Sequence, residues 1–157
     1  MQPETNRDIV LSFYQAFDDR NLEFALSLLM PNFIAHLAGM PEPLSRTEFE
    51  EFGRSFYTAF SQGQHHFEQV IVAGDRIITC GTFTAQHLGE FQSLPPTGQT
   101  IRLSIMHIDR VENGKIVEHW GQGDALGLMQ QLGIVFLPGP KLWAYLLKQL
   151  TRKLFKS

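Results

Sequence analysis

The stretch "ENGKIVEHWGQGDALGLMQQLG", residues 112–133, decides the predicted fold. Asn113-Gly114 is the strongest short-range signal for a two-residue β-hairpin, because both residues tolerate the positive φ angles of that turn. Alternating side chains before it, in "TIRLSIMHIDRV" (100–111), and after it, in "KIVEHWGQ" (115–122), predict two antiparallel strands. Asp124 follows directly and precedes a helical pattern. The stretch therefore predicts a strand that ends beside a carboxylate and a helix start.

The chain before this hairpin supplies helices first and strands later. Helical spacing of apolar residues predicts helices over residues 5–17, over residues 22–29, and from a capping box formed by Thr47 and Glu50. A period near two then predicts strands over residues 65–73 and 75–91. Helices followed by an antiparallel meander predict the α+β fold class.

The two-residue turn also predicts the register of the hairpin. The expected pairs are Glu112 with Lys115, His107 with Trp120, Ile105 with Gln122, and Leu103 with Asp124. Side chains alternate along a strand, so these residues are expected on one mostly apolar face. Such a face has the composition of a small-molecule pocket. A bulge at Gly121 or Gly123 would instead reverse the facing of Asp124 relative to Trp120.

Asp124 is the first candidate for a catalytic group on that face. A carboxylate in an apolar cavity is desolvated and becomes a stronger base than a surface aspartate. Such a base can remove a proton from a carbon next to a carbonyl. Asp is also favoured at the N-cap of a helix, so the position predicts a cap, a base, or both.

Three histidines are the next candidates. His107 lies about four strand residues from Asp124, roughly 13 Å, so it is expected to bond a substrate carbonyl rather than the carboxylate. A core histidine bonded to a neighbour is the alternative for His107 and for His87, and His36 would line a pocket rim. No metal-ligand spacing, nucleotide-binding glycine pattern or G-x-S-x-G motif occurs in the sequence. Acid–base chemistry without a cofactor, or plain ligand binding, is therefore predicted.

Composition and charge indicate which classes of molecule the chain can bind. The 157 residues suit one domain with a sizeable core, and the absence of an apolar run or leader segment predicts a cytoplasmic protein. Residues 1–138 hold all 16 acidic residues and eight of the 13 basic ones, a net charge of −8. That acidic body disfavours nucleic-acid binding.

The C-terminal segment differs from the body. Residues 138–157 carry five basic and no acidic residues, with Trp143 and several leucines at helical spacing. The sequence thus predicts a domain over residues 1–137 and a basic amphipathic helix over residues 138–157. That helix is expected either to contact an anionic membrane or to dock on the acidic body of this chain or of a sister subunit. Apolar residues on both faces of the hairpin also predict a homodimer.

Two segments resemble a known family: "GTFTAQHLGEFQSLPPTGQTI" (81–101) and "MHIDRVENGKIVEHWGQGDALGLMQQLG" (106–133) are similar to SnoaL-like polyketide cyclases, also called ester cyclases, of the nuclear transport factor 2-like superfamily. The resemblance implies a cone-shaped α+β barrel, in which a curved antiparallel sheet packs on N-terminal helices around a pocket. It implies aldol ring closure without a cofactor on a small apolar carbonyl compound, with Asp124 as the acid/base. Double-bond isomerisation and a non-catalytic binding module of the same fold are the alternatives.

The resemblance also implies which residues line the pocket. Histidines at the positions of His36, His87 and His107 belong to the family pattern and are expected in the cavity, beside the Trp120 and Gln122 of the predicted face. The first helix contributes aromatic residues in such enzymes, which points to Tyr14 or Phe17 here. The segment "FQSL" (91–94) departs from the pattern, so the loop that follows is expected to close the pocket differently.

Overall fold

The computed structural model describes residues 3–135 and 137–154. Those residues form helices and strands in the order α1 (Pro3–Asp18), α2 (Leu22–Ser27), β1 (Leu29–Leu37), β2 (Leu44–Ser45), α3 (Arg46–Ala59), β3 (Phe60–Ala73), β4 (Arg76–His87), β5 (Thr100–Glu112), β6 (Lys115–Gly123), α4 (Ala125–Gln131) and α5 (Pro140–Leu154). The predicted α+β class is confirmed, with helices leading and a meander of long strands following.

The strands form one curved sheet in the order β2-β1-β6-β5-β4-β3. Neighbours from β3 to β6 pair antiparallel, as predicted, whereas β1 runs parallel to β6. β1 and β6 are far apart in the sequence and no hairpin joins them, which allows them to run parallel, whereas β1 pairs antiparallel with β2, the strand that follows it. Helices α1 and α3 contact the concave face of the sheet and leave a space between helices and strands.

The hairpin between β5 and β6 has the predicted turn but not the predicted register. Asn113 and Gly114 both have positive φ (49° and 77°), and Glu112 faces Lys115. The pairing then shifts by one residue, because Val117 is an extra residue between the Val111–Ile116 pair and the pair that follows. The bulge lies there, and not at either of the two glycines near the end of the strand.

That bulge makes the predicted pairs beyond it wrong. His107 lies opposite Gly121, whereas Trp120 lies opposite Ile108. As a result His119 faces the interior of the protein, and Trp120 faces the other side of the sheet. The one extra residue therefore reverses which side chains of β6 face the interior and which face the other side of the sheet.

The N-terminus of α3 also differs from the sequence prediction. The capping box is formed by Ser45 and Glu48, two residues before the predicted pair. Ser45 has an extended backbone (φ −66°, ψ 168°), so its side chain accepts a hydrogen bond from the backbone N–H of Glu48, whose carboxylate accepts from the N–H of Ser45. Thr47 instead lies inside the helix.

The core between sheet and helices is aromatic. Phe13 of α1 packs edge-on against Phe17 and lies near Phe49 of α3, and each of these rings is buried. A second cluster around Phe60 and Phe83 covers the other end of the sheet. Phe49 of α3 belongs to the first cluster, while Phe52 and Phe56 of the same helix are half-buried and, with Phe49, line the space between helices and sheet. Phe60 itself begins β3.

Helix α5 follows the domain and presents apolar side chains to solvent. Leu142, Trp143 and Leu147 are all exposed. None of the described helices is long and apolar enough to cross a bilayer. The division of the chain at residue 137 stays a prediction.

Candidate active site

A cavity of about 240 Å³ lies between the concave face of the sheet and helices α1 and α3. Its walls are mainly aromatic rings, among them Phe13, Phe17, Phe49, Phe56, Tyr57 and Phe83. Four of its polar side chains come from α1 and from the inward positions of three strands: Tyr14, His65, His107 and His119. A few polar groups in an apolar enclosure fix the orientation of a ligand.

The strongest polar arrangement joins α1, β5 and β6. Asp109 is 0% exposed, and its carboxylate accepts hydrogen bonds from the Tyr14 hydroxyl (2.8 Å) and from Nδ1–H of His119 (2.8 Å). Burial and the adjacent charge of Asp109 raise the pKa of Tyr14 well above its usual value, so the phenol keeps its proton and donates it. Both carboxylate oxygens are therefore occupied, and the imidazole is held with Nδ1 as a donor.

The other nitrogen of that imidazole, Nε2, makes no hydrogen bond to any residue in the described ranges. Gly121 explains how the ring fits, because a β-carbon at this position would lie 2.7 Å from Nε2 of His119. The glycine is thus a point of close approach, which its neighbour on the same strand face requires. The result is a buried imidazole at the cavity wall with a free lone pair on Nε2.

His107 occupies the centre of the polar wall. Its ring stacks on Tyr14 (centroids 4.9 Å apart), and its Nδ1 lies 3.2 Å from Oγ1 of Thr79. Burial, and then the neighbouring His119 and His65, lower the pKa of His107 well below 6.5. At neutral pH this imidazole is uncharged and can offer one N–H to a ligand.

The lowered pKa of His107 predicts a stability that falls in acid. The native state binds this proton less readily than the unfolded chain, so folding is unaffected above pH 6.5 and is progressively weakened below it. One proton contributes a slope of up to about 1.4 kcal/mol per pH unit. His107→Gln should therefore flatten the dependence of unfolding free energy on pH between about 6.5 and 5, measured by urea denaturation.

The exposed His66 provides the control for this measurement. His66→Gln is expected to keep the slope of the wild-type protein, because its side chain points to solvent from the same sheet. Parallel curves for wild type and His107→Gln would show that His107 does not resist protonation in the native state.

A second aspartate–histidine pair lies at the other side of His107. The Nδ1–H of His65 donates to Asp18 at 2.6 Å, and the backbone N–H of His65 donates to the same carboxylate at 2.8 Å. The side chains of His65 and Asp18 are only 10% and 5% exposed. The ring centroids of His65 and His107 are 6.3 Å apart, and those of His107 and His119 are 5.4 Å apart.

Four of the sequence candidates line the cavity: Tyr14, Phe17, His107 and Gln122. The other four do not belong to its lining: His36, His87, Trp120 and Asp124. His36 and Trp120 stack on one another at 4.8 Å, and Nε2 of His36 lies 3.1 Å from Glu118. His87 is fully buried, with its Nδ1 accepting from the backbone N–H of Thr97.

Asp124 is exposed and forms the N-cap of α4, where its carboxylate accepts from the N–H of Gly127 at 2.9 Å. The predicted cap is confirmed, and the predicted burial of this carboxylate in an apolar cavity is wrong. Gly123 and Ala125, on either side of it, do line the cavity, so Asp124 lies at the cavity mouth.

Sequence reasoning missed the residues that form the two pairs. The inward position of Asp109 is predictable from the sequence, because strict alternation along β5 places it on the same face as His107 and Ile105. The inward position of His119 is not predictable from the sequence, since it depends on the bulge at Val117. His65 was placed on a strand next to His66, but the alternation alone does not say which of the two faces inward.

No group of three or more His, Cys, Asp or Glu side chains in the described part of the chain is arranged to hold a metal ion. Tyr14, His65, His107 and His119 are proton donors or acceptors, and each is held by a partner from the protein itself. Such an arrangement is suited to moving protons on a small apolar ligand.

Comparison with known proteins agrees with this geometry. A family model described as SnoaL-like polyketide cyclase matches residues 8–132, which includes the cavity and both aspartate–histidine pairs. No match was found among curated proteins.

Solved structures give the same fold. AclR, a proposed hydroxylase from Streptomyces galilaeus, is 23% identical with a TM-score of 0.79, and the alignment covers 86% of this chain and 100% of that one. IdmH, a proposed polyketide cyclase from Streptomyces antibioticus, is 27% identical with a TM-score of 0.74, covering 85% and 100%. A SnoaL-like protein from Jannaschia sp. CCS1 is 18% identical with a TM-score of 0.77, covering 85% and 94%.

Proposed function

The chain belongs to the SnoaL-like polyketide cyclase family, and on that premise we propose that it closes a ring in a small apolar carbonyl compound by an intramolecular aldol step. The observation that supports this most is the buried Asp109–His119 pair at the wall of an aromatic cavity. An engineered apolar cavity of about 150 Å³ binds benzene. A volume of about 240 Å³ therefore suits a compound of about two rings.

We assign removal of the proton α to the carbonyl to Nε2 of His119. Asp109 accepts from Nδ1–H, which fixes the tautomer with a lone pair on Nε2 and stabilises the imidazolium that forms. The hydroxyl of Tyr14 holds the second carboxylate oxygen, so the carboxylate cannot turn away from the imidazole. This is the positioning that a general base needs.

His107 is assigned to the oxygen of the enolate. With the Thr79 hydroxyl donating to Nδ1, its Nε2 carries the proton and can donate to a carbonyl in the cavity. A neutral donor suits this role, because it stabilises negative charge as it develops without first forming a strong ion pair. Isomerisation of a double bond would use the same two groups, and it differs only in where the proton returns.

The proposal is tested by proton exchange, which requires no knowledge of the natural substrate. β-Tetralone, a bicyclic ketone with acidic α-protons, is incubated in D₂O with the purified full chain, and the loss of its α-proton signals is followed by ¹H NMR. The protein is expected to accelerate exchange by about 10²-fold or more over buffer. An exchange rate equal to that of buffer would contradict the proposed acid–base function.

A second candidate is a non-catalytic binding module held at a membrane, and the exposed apolar side chains of α5 favour it. The segment 138–157 is basic, so α5 would contact an anionic surface. The full chain should then float with phosphatidylglycerol vesicles but not with phosphatidylcholine vesicles, and a chain truncated after Gly139 should float with neither. A truncation that instead turns a homodimer into a monomer, with no flotation of the full chain, would assign α5 to docking between subunits.

A further inference from the structure

The pair formed by Asp18 and His65 has the same construction as the pair assigned to proton abstraction. In both pairs a nearly buried carboxylate accepts from Nδ1–H of an imidazole that lines the cavity. In both, Nε2 has no hydrogen-bond partner within the described residues. The two imidazoles lie on either side of His107.

The position of Asp18 is unfavourable for the fold alone. It is the last residue of α1, where the helix dipole disfavours a negative charge, and the last turn holds no basic residue. Its side chain is nevertheless 5% exposed, and the hydrogen bonds it accepts come from the backbone and ring of His65. A buried carboxylate at a helix C-terminus conflicts with the electrostatics of the helix. Such a conflict beside a cavity is characteristic of a functional site.

The backbone of β3 is also distorted just before His65. Ser61 pairs with Gln86, and the next pair is Gln64 with Thr84, so one residue is extra. Gln62 within this bulge has φ 54°, the left-handed region that a non-glycine residue adopts at a cost of about 1 kcal/mol or more. Without the extra residue, the alternation that buries Phe60 would turn His66 inward in place of His65.

Both imidazoles therefore reach the cavity through a bulge, one in β3 and one in β6. Bulges that re-aim a side chain are frequent beside active sites. A single acid/base group accounts for one buried aspartate–histidine pair, whereas this cavity has two. Two such pairs suit a reaction in which protons move at two separate positions of the ligand.

We propose that His65, held by Asp18, is a second catalytic group, which protonates the oxygen of the carbonyl that accepts the new carbon–carbon bond. The proposal rests on the proposed aldol function and extends it. An aldol ring closure needs two carbonyl groups in one substrate, and the proposal places one of them beside His119 and His107 and the other at His65.

Ring closure moves two protons and forms one carbon–carbon bond. The α C–H bond breaks and its proton goes to Nε2 of His119, while the electron pair forms the enolate. The α-carbon then bonds to the second carbonyl carbon, whose C=O π pair becomes an alkoxide oxygen. That oxygen takes a proton from Nε2 of His65, which has taken it up from water before the step and whose positive charge Asp18 offsets. The products are a β-hydroxy ketone, neutral His65 and protonated His119. Proton exchange with water returns both imidazoles to their starting states.

The test separates the two proton transfers with two probes. β-Tetralone has no second carbonyl and needs only the base, whereas a methyl-cyclohexanedione that carries an oxobutyl side chain can close to a bicyclic ketol. His65→Gln is expected to slow ketol formation by about 10²-fold, at least about tenfold more than it slows exchange of β-tetralone. The matched control, His66→Gln, changes the exposed neighbour and should affect neither rate.

Asp18→Asn provides a second variant that preserves side-chain volume. Asp18 is a positioning residue, so Asp18→Asn should lower kcat for closure and keep KM within about twofold of wild type. The reason is that the protonated His65 loses its counter-charge. Closure at the wild-type rate in His65→Gln would overturn the assignment, as would a wild-type protein that exchanges β-tetralone but never closes the dione. If the wild type does not exchange β-tetralone, the proposed acid–base function is itself wrong, and not only the role of His65.

Discussion

Replacing His119 with glutamine is expected to lower the rate of α-proton exchange in β-tetralone by about 10²- to 10³-fold. Glutamine can still donate to Asp109 from its amide, so the buried carboxylate keeps a partner and the fold is preserved. The variant has no basic nitrogen at position 119, where the proposed proton abstraction takes place. The measurement is the ¹H NMR exchange assay at neutral pH, with thermal unfolding to confirm that the variant is folded.

Asp109→Asn tests the same base through its partner. An asparagine amide would donate to Nδ1 of His119 and move the ring proton to Nε2, so the nitrogen at the cavity could no longer accept a proton. Exchange should fall by a similar factor, although His119 itself is unchanged. A variant with normal exchange would show that the tautomer of His119 does not matter.

Asp124→Asn is the matched comparison, because the family resemblance assigns the acid/base role to this residue. Asparagine is also a good N-cap, so α4 should remain intact. With an exposed carboxylate outside the cavity lining, Asp124→Asn is expected to exchange within about twofold of wild type. Loss of exchange in Asp124→Asn together with normal exchange in His119→Gln would move the base from His119 to Asp124.

The sequence points to Asp124 as the base and the structure to His119. The two differ because the pairing of β6 with β5 is shifted by one residue. The turn at Asn113-Gly114, the two strands and the cap at Asp124 could all be predicted, because each is encoded by local conformational preference. The facing of β6 could not, because its bulge lies at Val117, a β-branched residue with no sequence signal for one. Gly121, which looked like a bulge site, serves instead to leave room for His119.

The same limit applies to β3. The sequence shows adjacent histidines, and alternation says that exactly one of them faces inward. The choice depends on the bulge before Gln64, which in turn depends on contacts with β4 and α1 that are distant in sequence. Sequence reasoning therefore found the cavity wall through β5, where alternation is unbroken, and missed the groups that two bulges deliver to it.

Removing the carboxylate of Asp109 altogether is expected to have the largest effect on stability. Asp109→Ala leaves the Tyr14 hydroxyl and Nδ1–H of His119 without acceptors in a buried site. Breaking such a buried arrangement typically costs about 3–5 kcal/mol of unfolding free energy. Since domains of this size are stable by about 5–15 kcal/mol, urea denaturation at pH 7 should show a midpoint far below that of wild type.

A double-mutant cycle with Tyr14→Phe distinguishes lost hydrogen bonding from a simple cavity effect. Tyr14→Phe retains the ring that stacks on His107 and removes only the hydroxyl, so in wild type it should cost about 1.5–3 kcal/mol, the value of a bond to a charged group. In the Asp109→Ala background the same change should cost almost nothing, because the hydroxyl already lacks its acceptor. Additive effects within about 0.5 kcal/mol would mean that Tyr14 and Asp109 are not coupled. In that case the orientation of His119 would depend on its own bond to Asp109, without the support of α1.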